Sequence, residues 1–279
     1  MKNDLIKFYN NDSTQNFINN INNLNRGQKK DPLSTLISFN FYKETVHTFK
    51  LYAELFKSFS EDEILKFLPE TTQFEKYFPY WNNTRNSSLC FGIKLNNDLE
   101  PIYYTHIKFD PNKRIFDKFS KFKNPKMLDI TYNYEEVETG ISFEYYKQTC
   151  TEKRYWYFYD DENKNKICKK FDMSNEYINH IEYTEYDDNT SKIIMVYDYP
   201  QDWGGTNIGT PTNYVYEQLK KHNHELIDNC VDFFKNEFDI LPKYFGSYNN
   251  SEIISIYWSL TKKWNAMNKP YLKNHIINI

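Results

Sequence analysis

The stretch EPIYYTHIKFDP, residues 100–111, places a phenol, an imidazole and an ammonium two residues apart, at Tyr104, His106 and Lys108. Residues two apart share a face of a β-strand. One face here carries all three, and Tyr103, Thr105, Ile107 and Phe109 make the other largely apolar. Such a polar face either meets water or lines the inside of something. Other segments repeat the mixture. Lys94 shares parity with Cys90 and Gly92, Glu144 with Ser142 and Tyr146, and Tyr257 with Ser255 and Ser259. Tyr197 and Tyr199 share theirs with Ile193 and Met195, and Arg154 leads the aromatic run YWYFY. Gathered in one chamber, the cations would hold an anionic group such as a diphosphate. Tyrosine faces would stabilise a carbocation through their quadrupole, and their hydroxyls would order or exclude water. That combination suits the ionisation of an allylic diphosphate.

The elements that must position these residues follow from periodicity and turn chemistry. Residues 1–32 are polar and Asn-rich, with a weak apolar pattern that predicts one or two short helices ending near Gly27. Apolar residues from Leu33 to Phe56 predict a helix over 33–58. A capping box at Ser60 and Glu63 opens another through Leu68, 112–122 reads as a short helix, and 212–238 as a long one. Alternating runs separated by polar turns predict ten strands in five hairpins. These are SSLCFGIKL with PIYYTHIKF, MLDITYNY with TGISFEYYK, KRYWYFYDD with KICKKFDM, INHIEYTEY with SKIIMVYDYP, and PKYFGSYN with EIISIYWSL. The expected fold is α+β: an antiparallel β-barrel of about ten strands with helices packed around the outside, closed because closure removes exposed edges. Residues 1–32 form an N-terminal polar segment and 33–279 a single barrel domain.

Composition excludes several functions. A net charge of -3 gives no electrostatic case for nucleic acid or an anionic membrane surface. Only 7 glycines argue against a Gly-rich phosphate loop. Cys90, Cys150, Cys168 and Cys230 lack metal or disulfide spacing and read as reduced thiols. With no signal-peptide core and no long apolar run, the chain reads as cytoplasmic. His222 and His224 point to different sides of a helix, so no metal site is assigned there. DWGGTNIGT reads as a loop over one barrel mouth.

The hairpins resemble those of the ABBA aromatic prenyltransferases, and among them the cyanobactin peptide prenyltransferases. LCFGIKLNNDLEPIYYTHIKF is the most similar piece, its IYYTHIKF resembling that group's tyrosine-x-His-x-Lys strand. ISFEYYK, IIMVYDYP and ISIYWSL resemble later strands, and HTFKLYAEL a helix before the first hairpin, over roughly 45–264. The resemblance implies transfer of a prenyl group from an allylic diphosphate, such as dimethylallyl diphosphate, to an electron-rich aromatic small molecule or peptide acceptor. Lys94, His106 and Lys108, joined by Arg154, would bind the diphosphate. Tyr197 and Tyr257, joined by Tyr146, would shield the cation. The family's general base is usually a carboxylate on its first strand. Here Glu144 takes that role on parity alone, and a Mg2+ requirement is left open. The family also separates its hairpins with helices, for which residues 148–153 leave no room. The alternatives are a non-catalytic barrel module for a hydrophobic or aromatic ligand, and a viral or mobile-element interaction protein whose aromatic strands only pack.

Overall fold

A computed structural model describes residues 2–26, 34–55, 88–109, 128, 137–147, 149–187, 190–200, 210–222, 224–248 and 252–259. Ten antiparallel strands close into a barrel: β1 (Ser34–Tyr42), β2 (Thr45–Leu55), β3 (Ser88–Leu95), β4 (Pro101–Phe109), β5 (Glu138–Tyr146), β6 (Thr149–Phe158), β7 (His180–Tyr186), β8 (Ser191–Asp198), β9 (Pro242–Tyr248) and β10 (Ile253–Ser259). Neighbours in sequence are neighbours in the sheet, and β1 closes the ring against β10. Five turns lie at one end, within the hairpins β1–β2, β3–β4, β5–β6, β7–β8 and β9–β10. The longer connections lie at the other end. The described helices are α1 (Lys2–Tyr9), α2 (Asp12–Arg26), α3 (Asp161–Lys170), α4 (Thr212–Lys220) and α5 (His224–Phe238). None of them is long and apolar enough to cross a membrane.

Three expectations change. Residues 34–55 form a hairpin rather than part of a helix over 33–58. Phe39, Phe41, Phe49, Leu51 and Ala53 are all buried, and alternate residues carry Ser38, Asn40, Lys50 and Tyr52. Two-residue periodicity and the aromatic content of this segment favour strand. Next, 161–170 is helix, not the return strand KICKKFDM. Asp160 accepts a hydrogen bond from the Asn163 backbone N–H at 2.8 Å, Asp161 and Glu162 occupy the first turn, and Lys169 and Lys170 the last. Capping and dipole complementarity thus outweigh the alternation. Finally, the helix predicted over 212–238 divides at Lys221–His222 into α4 and α5. Residues 127–134, 60–68 and 112–122 lie outside the described residues, save Leu128. The closed ring has ten strands, as expected, but two of the ten are β1 and β2, from the segment read as helix.

Most strands carry one face richer in apolar residues, and rings on it touch rings of α1 and α5. Phe8 of α1 stacks on Phe49 at 5.1 Å. Phe234 of α5 stacks on Trp258 at 4.6 Å and meets Phe39 edge-on at 5.8 Å. Fully burying a ring of this kind contributes about 1.5–3 kcal/mol. The other face looks into the barrel, because its side chains act on one another across the ring. Lys50 of β2 feels the charge of Lys153 of β6, and Tyr104 of β4 that of Tyr257 of β10, each pair four strands apart.

Candidate functional site

At the end of the barrel that bears the hairpin turns, a cavity of about 610 Å3 is lined by Lys50, Lys94, Lys153, Lys192, Tyr186 and Tyr248, among others. The four lysines come from β2, β3, β6 and β8 and point inward by register. Lys50 lies directly opposite Lys94, and Lys153 opposite Tyr186. Lys50 and Lys153 are only 7% and 6% exposed, a setting in which lysine is rarely found unpaired. Glu144 of β5 is their close carboxylate. One oxygen takes Lys94 and the other takes Lys153 at 2.5 Å.

Charge crowding shows in the proton affinities. Burial first, and then Lys153, Lys50 and Lys192, push Lys94 well below the usual lysine range. Burial and Lys192 bring Lys153 to about 7. Burial also lowers Lys50. Tyr248 goes against the trend for a buried phenol. Burial raises it, but Lys50 and Lys192 outweigh burial and bring it to about 7. Lys192 shows the reciprocal effect. Burial pulls it down, and Tyr248 and Tyr186 more than restore it. Its ammonium stands 4.2 Å from the centre of the Tyr248 ring. Burial and mutual repulsion loosen the protons of these lysines, and an anion that entered would offset the repulsion and restore them.

Deeper along the barrel the lining becomes aromatic. Tyr52 and Tyr104 meet edge-on at 5.0 Å, and Tyr155 and Tyr157 lie parallel at 6.1 Å. Burial raises the pKa of Tyr104, Tyr155, Tyr157 and Tyr257, so these phenols stay neutral. Tyr104 has a buried hydroxyl without a hydrogen-bond partner among the described residues, as does Ser38, whose register neighbours are Lys50 and Tyr257. Buried polar atoms are nearly always bonded, so two orphans facing one lumen favour a polar guest.

The residues singled out from sequence divide into groups. Lys94 and Glu144 meet in the cavity, and Tyr257 faces the lumen opposite Ser38 and Tyr244. His106 also faces the lumen but stands away from the lysines. It lies four residues along β4 from Ile102, the partner of Lys94, or about 13 Å at strand rise. Its Nε2 is 3.1 Å from the Tyr157 hydroxyl, and its ring lies against Gly140, where an added Cβ would come within 2.8 Å of that nitrogen. It is therefore placed to share a hydrogen bond with Tyr157, away from the lysine cluster. Lys108 sits in register with Ser88 and Gly140, farther still from Lys94. Tyr146 lies at the rim, where it donates to Glu100.

Two assignments are corrected. Arg154 faces away from the lumen, in register with Ile141 and Glu185, and its guanidinium is 4.0 Å from the Glu185 carboxylate. Tyr197 also faces away. It stacks on Phe245 at 4.7 Å and meets Tyr214 of α4 at 5.5 Å. The physical reason is parity: Tyr197 belongs with Ile193 and Met195 on the face that packs, and Arg154 with Trp156 and Phe158.

Sequence reasoning passes over Lys50, Lys153, Lys192 and Tyr248. Lys50 lies in the segment read as helix. Lys153 shares parity with Tyr155 and Tyr157, and that shared parity was the available signal. No protein-family model matches the chain, and no curated protein is similar to it.

Proposed function

We propose that this chain is a prenyltransferase that moves an allylic group from its diphosphate to an electron-rich acceptor. The carrying observation is the layering of one lumen: four lysines at an open mouth, and tyrosine rings directly beneath them. The lysines would bind the diphosphate and stabilise the charge that develops as it leaves. Tyr52, Tyr104, Tyr155 and Tyr257 would face the allylic cation and keep water from it. The cavity volume lies in the range of small-molecule sites, about 300–1,000 Å3, so a short prenyl diphosphate and the tip of an acceptor fit together.

The order of elements supports the same reading. Strands β5 and β6 pair with each other, and β6 begins at Thr149, so no helix is needed between them. Helices follow β6 and β8 instead, between hairpins, and on this reading they are laid against the outer face of the barrel. Both Glu144 oxygens are engaged by lysines. A carboxylate so paired is a weak base, and its role is to hold Lys94 and Lys153 in place.

The test is incubation of the purified chain with dimethylallyl diphosphate, with and without Mg2+, and aromatic and tyrosine-peptide acceptors, followed by mass spectrometry. Prenylated acceptor is expected, and its formation should fall at least tenfold in Lys50→Met and Lys192→Met. Tight diphosphate binding without turnover against any acceptor would favour a binding module instead.

A further inference from the structure

Tyr248 sits among the lysines with its hydroxyl in a network that has two proton arrangements. Ser255 of β10 lies 3.1 Å from the Tyr248 oxygen and 2.5 Å from Asn40 Oδ1 of β1. A serine hydroxyl has one proton to donate. If Tyr248 is a phenol, it donates to Ser255, which donates to Asn40. If Tyr248 is a phenolate, Ser255 turns its proton to Tyr248. In the phenolate form the Asn40 amide turns its NH2 group toward the Ser255 oxygen, so that the network serves both forms. The charged and titratable groups that share its side of the barrel are Lys50 on β2, Lys94 on β3, Glu144 on β5, Lys153 and Tyr155 on β6, Glu182 and Tyr186 on β7, Lys192 on β8 and Tyr257 on β10. Of these, Lys50 and Lys192 act on it most strongly.

We propose that Tyr248 is the proton carrier of this chamber, a phenolate held by Lys50 and Lys192 while the chamber is empty and a phenol once a diphosphate takes those lysines. The catalytic part of this proposal rests on the prenyl-transfer reading above. An arriving diphosphate draws the two ammonium groups to its own oxygens, and the phenolate, deprived of them in a buried setting, takes up a proton. When the allylic carbon–oxygen bond breaks, its electron pair leaves with the diphosphate. Tyr248 passes its proton to a departing oxygen and returns to phenolate. The new bond to the acceptor releases the acceptor's proton, which the phenolate takes. The proton given to the diphosphate is replaced by the acceptor's, so Tyr248 ends the transfer as a phenol, and it releases that proton to water and returns to phenolate when the diphosphate leaves the lysines. The pull of the two lysines on the phenol's proton accords with a phenolate in the empty chamber.

The test uses inorganic pyrophosphate and the full chain at about pH 8, where an ordinary tyrosine is fully protonated. Pyrophosphate should diminish the ultraviolet band of tyrosinate in step with binding. Calorimetry in buffers of different ionisation enthalpy should show proton uptake. Tyr248→Phe, freed of the phenolate that competes for Lys50 and Lys192, should bind pyrophosphate more tightly at this pH, show no tyrosinate change and take up one proton fewer. Ser255→Ala keeps the ring but removes the donor to the phenolate. It should raise the pH at which the band appears, and so tests the assignment even if Tyr248→Phe does not fold. Pyrophosphate binding with the tyrosinate band unchanged would overturn the proposal. So would equal proton uptake in Tyr248→Phe, which would put the proton on Lys94 or Lys153. Absence of any binding to the native chain would remove the diphosphate reading itself, and this role with it.

Discussion

The ring of Tyr104 lies over Gly92, its register partner on β3, in space that any side chain at position 92 would occupy. Glycine is needed here for close approach, not for backbone conformation. Tyr104 is almost wholly buried and is flanked by Tyr52, so it cannot swing aside freely. Gly92→Ala should therefore destabilise the fold by about 1–3 kcal/mol, the usual cost of overpacking, read as a lower urea midpoint. Tyr104→Phe should do the reverse. Deleting a buried hydroxyl that has no partner relieves an unsatisfied group, so the midpoint should hold or rise. If that hydroxyl serves a guest, affinity for a prenyl diphosphate should fall in the same variant.

Removing the Glu144 charge leaves Lys94 and Lys153 close together without their shared carboxylate. Breaking a buried pair by deleting one partner costs about 3–5 kcal/mol, because the remaining charge is uncompensated. Glu144→Gln should show a loss of this order at about pH 6, where Lys153 is charged. The loss should shrink as the pH rises and Lys153 discharges, and pyrophosphate should recover much of it. An equal loss at every pH would mean that packing, not charge, is what Glu144 supplies.

The pH dependence of the native chain follows from the same groups. Lys153 binds its proton less tightly folded than unfolded, with its folded pKa at about 7 against 10.5. Tyr248 is lowered likewise, to about 7 against 10.0. Between about 7 and 10 the unfolded chain therefore holds more protons at both sites, and stability rises with pH. For Lys153 this is relief of a penalty that is full below 7. For Tyr248 it is a gain that is absent below 7. Each group contributes up to about 1.4 kcal/mol per pH unit. Above about 9 the buried Cys230 thiol, its pKa raised by burial, works the other way, so the clean window is pH 7 to 9. Urea unfolding across that window should show a positive slope, reduced in Tyr248→Phe and flattened by saturating pyrophosphate.

Why some of this was legible in the sequence and some was not has local causes. The hairpins β3–β4, β7–β8 and β9–β10 turn through runs rich in Asn and Asp, which tolerate turn geometry and announce it. The hairpins β1–β2 and β5–β6 turn at Lys43 and Lys147, with φ of 50° and 54°, where glycine or asparagine would be expected. No residue type marks those turns, so β1–β2 resembles a helix and 148–153 resembles a gap between strands. The site was legible where one parity is plainly apolar, as on β3 and β10. It was not on β6, where Lys153, Tyr155 and Tyr157 face one way and Arg154, Trp156 and Phe158 the other. Both sets carry a cation and aromatic rings. Parity sorts such a strand into two faces, but only its neighbours decide which face is inside. On β8 the lumen face is mostly Ile194 and Val196, so the tyrosine on the other face drew the assignment.

Lys153 and Arg154 turn that ambiguity into a measurement. They are adjacent, both cationic and both shielded from solvent, yet Lys153 reaches Glu144 inside the barrel and Arg154 reaches toward Glu185 on the opposite face. A diphosphate in the chamber meets one and not the other. Lys153→Met should weaken pyrophosphate binding by tenfold or more, since losing a charge-assisted contact costs about 1.5–3 kcal/mol. It should also remove that residue's share of the pH slope. Arg154→Met should leave affinity and slope within about twofold of native, because no charge enters or leaves the chamber. Its effect should fall on stability instead. Glu185 is buried, and it would lose the guanidinium while keeping the Tyr183 hydroxyl, which donates to it at 3.2 Å. If Arg154→Met weakened pyrophosphate and Lys153→Met did not, the inward face of β6 would be the other one, and the lysine chamber would lose its third wall.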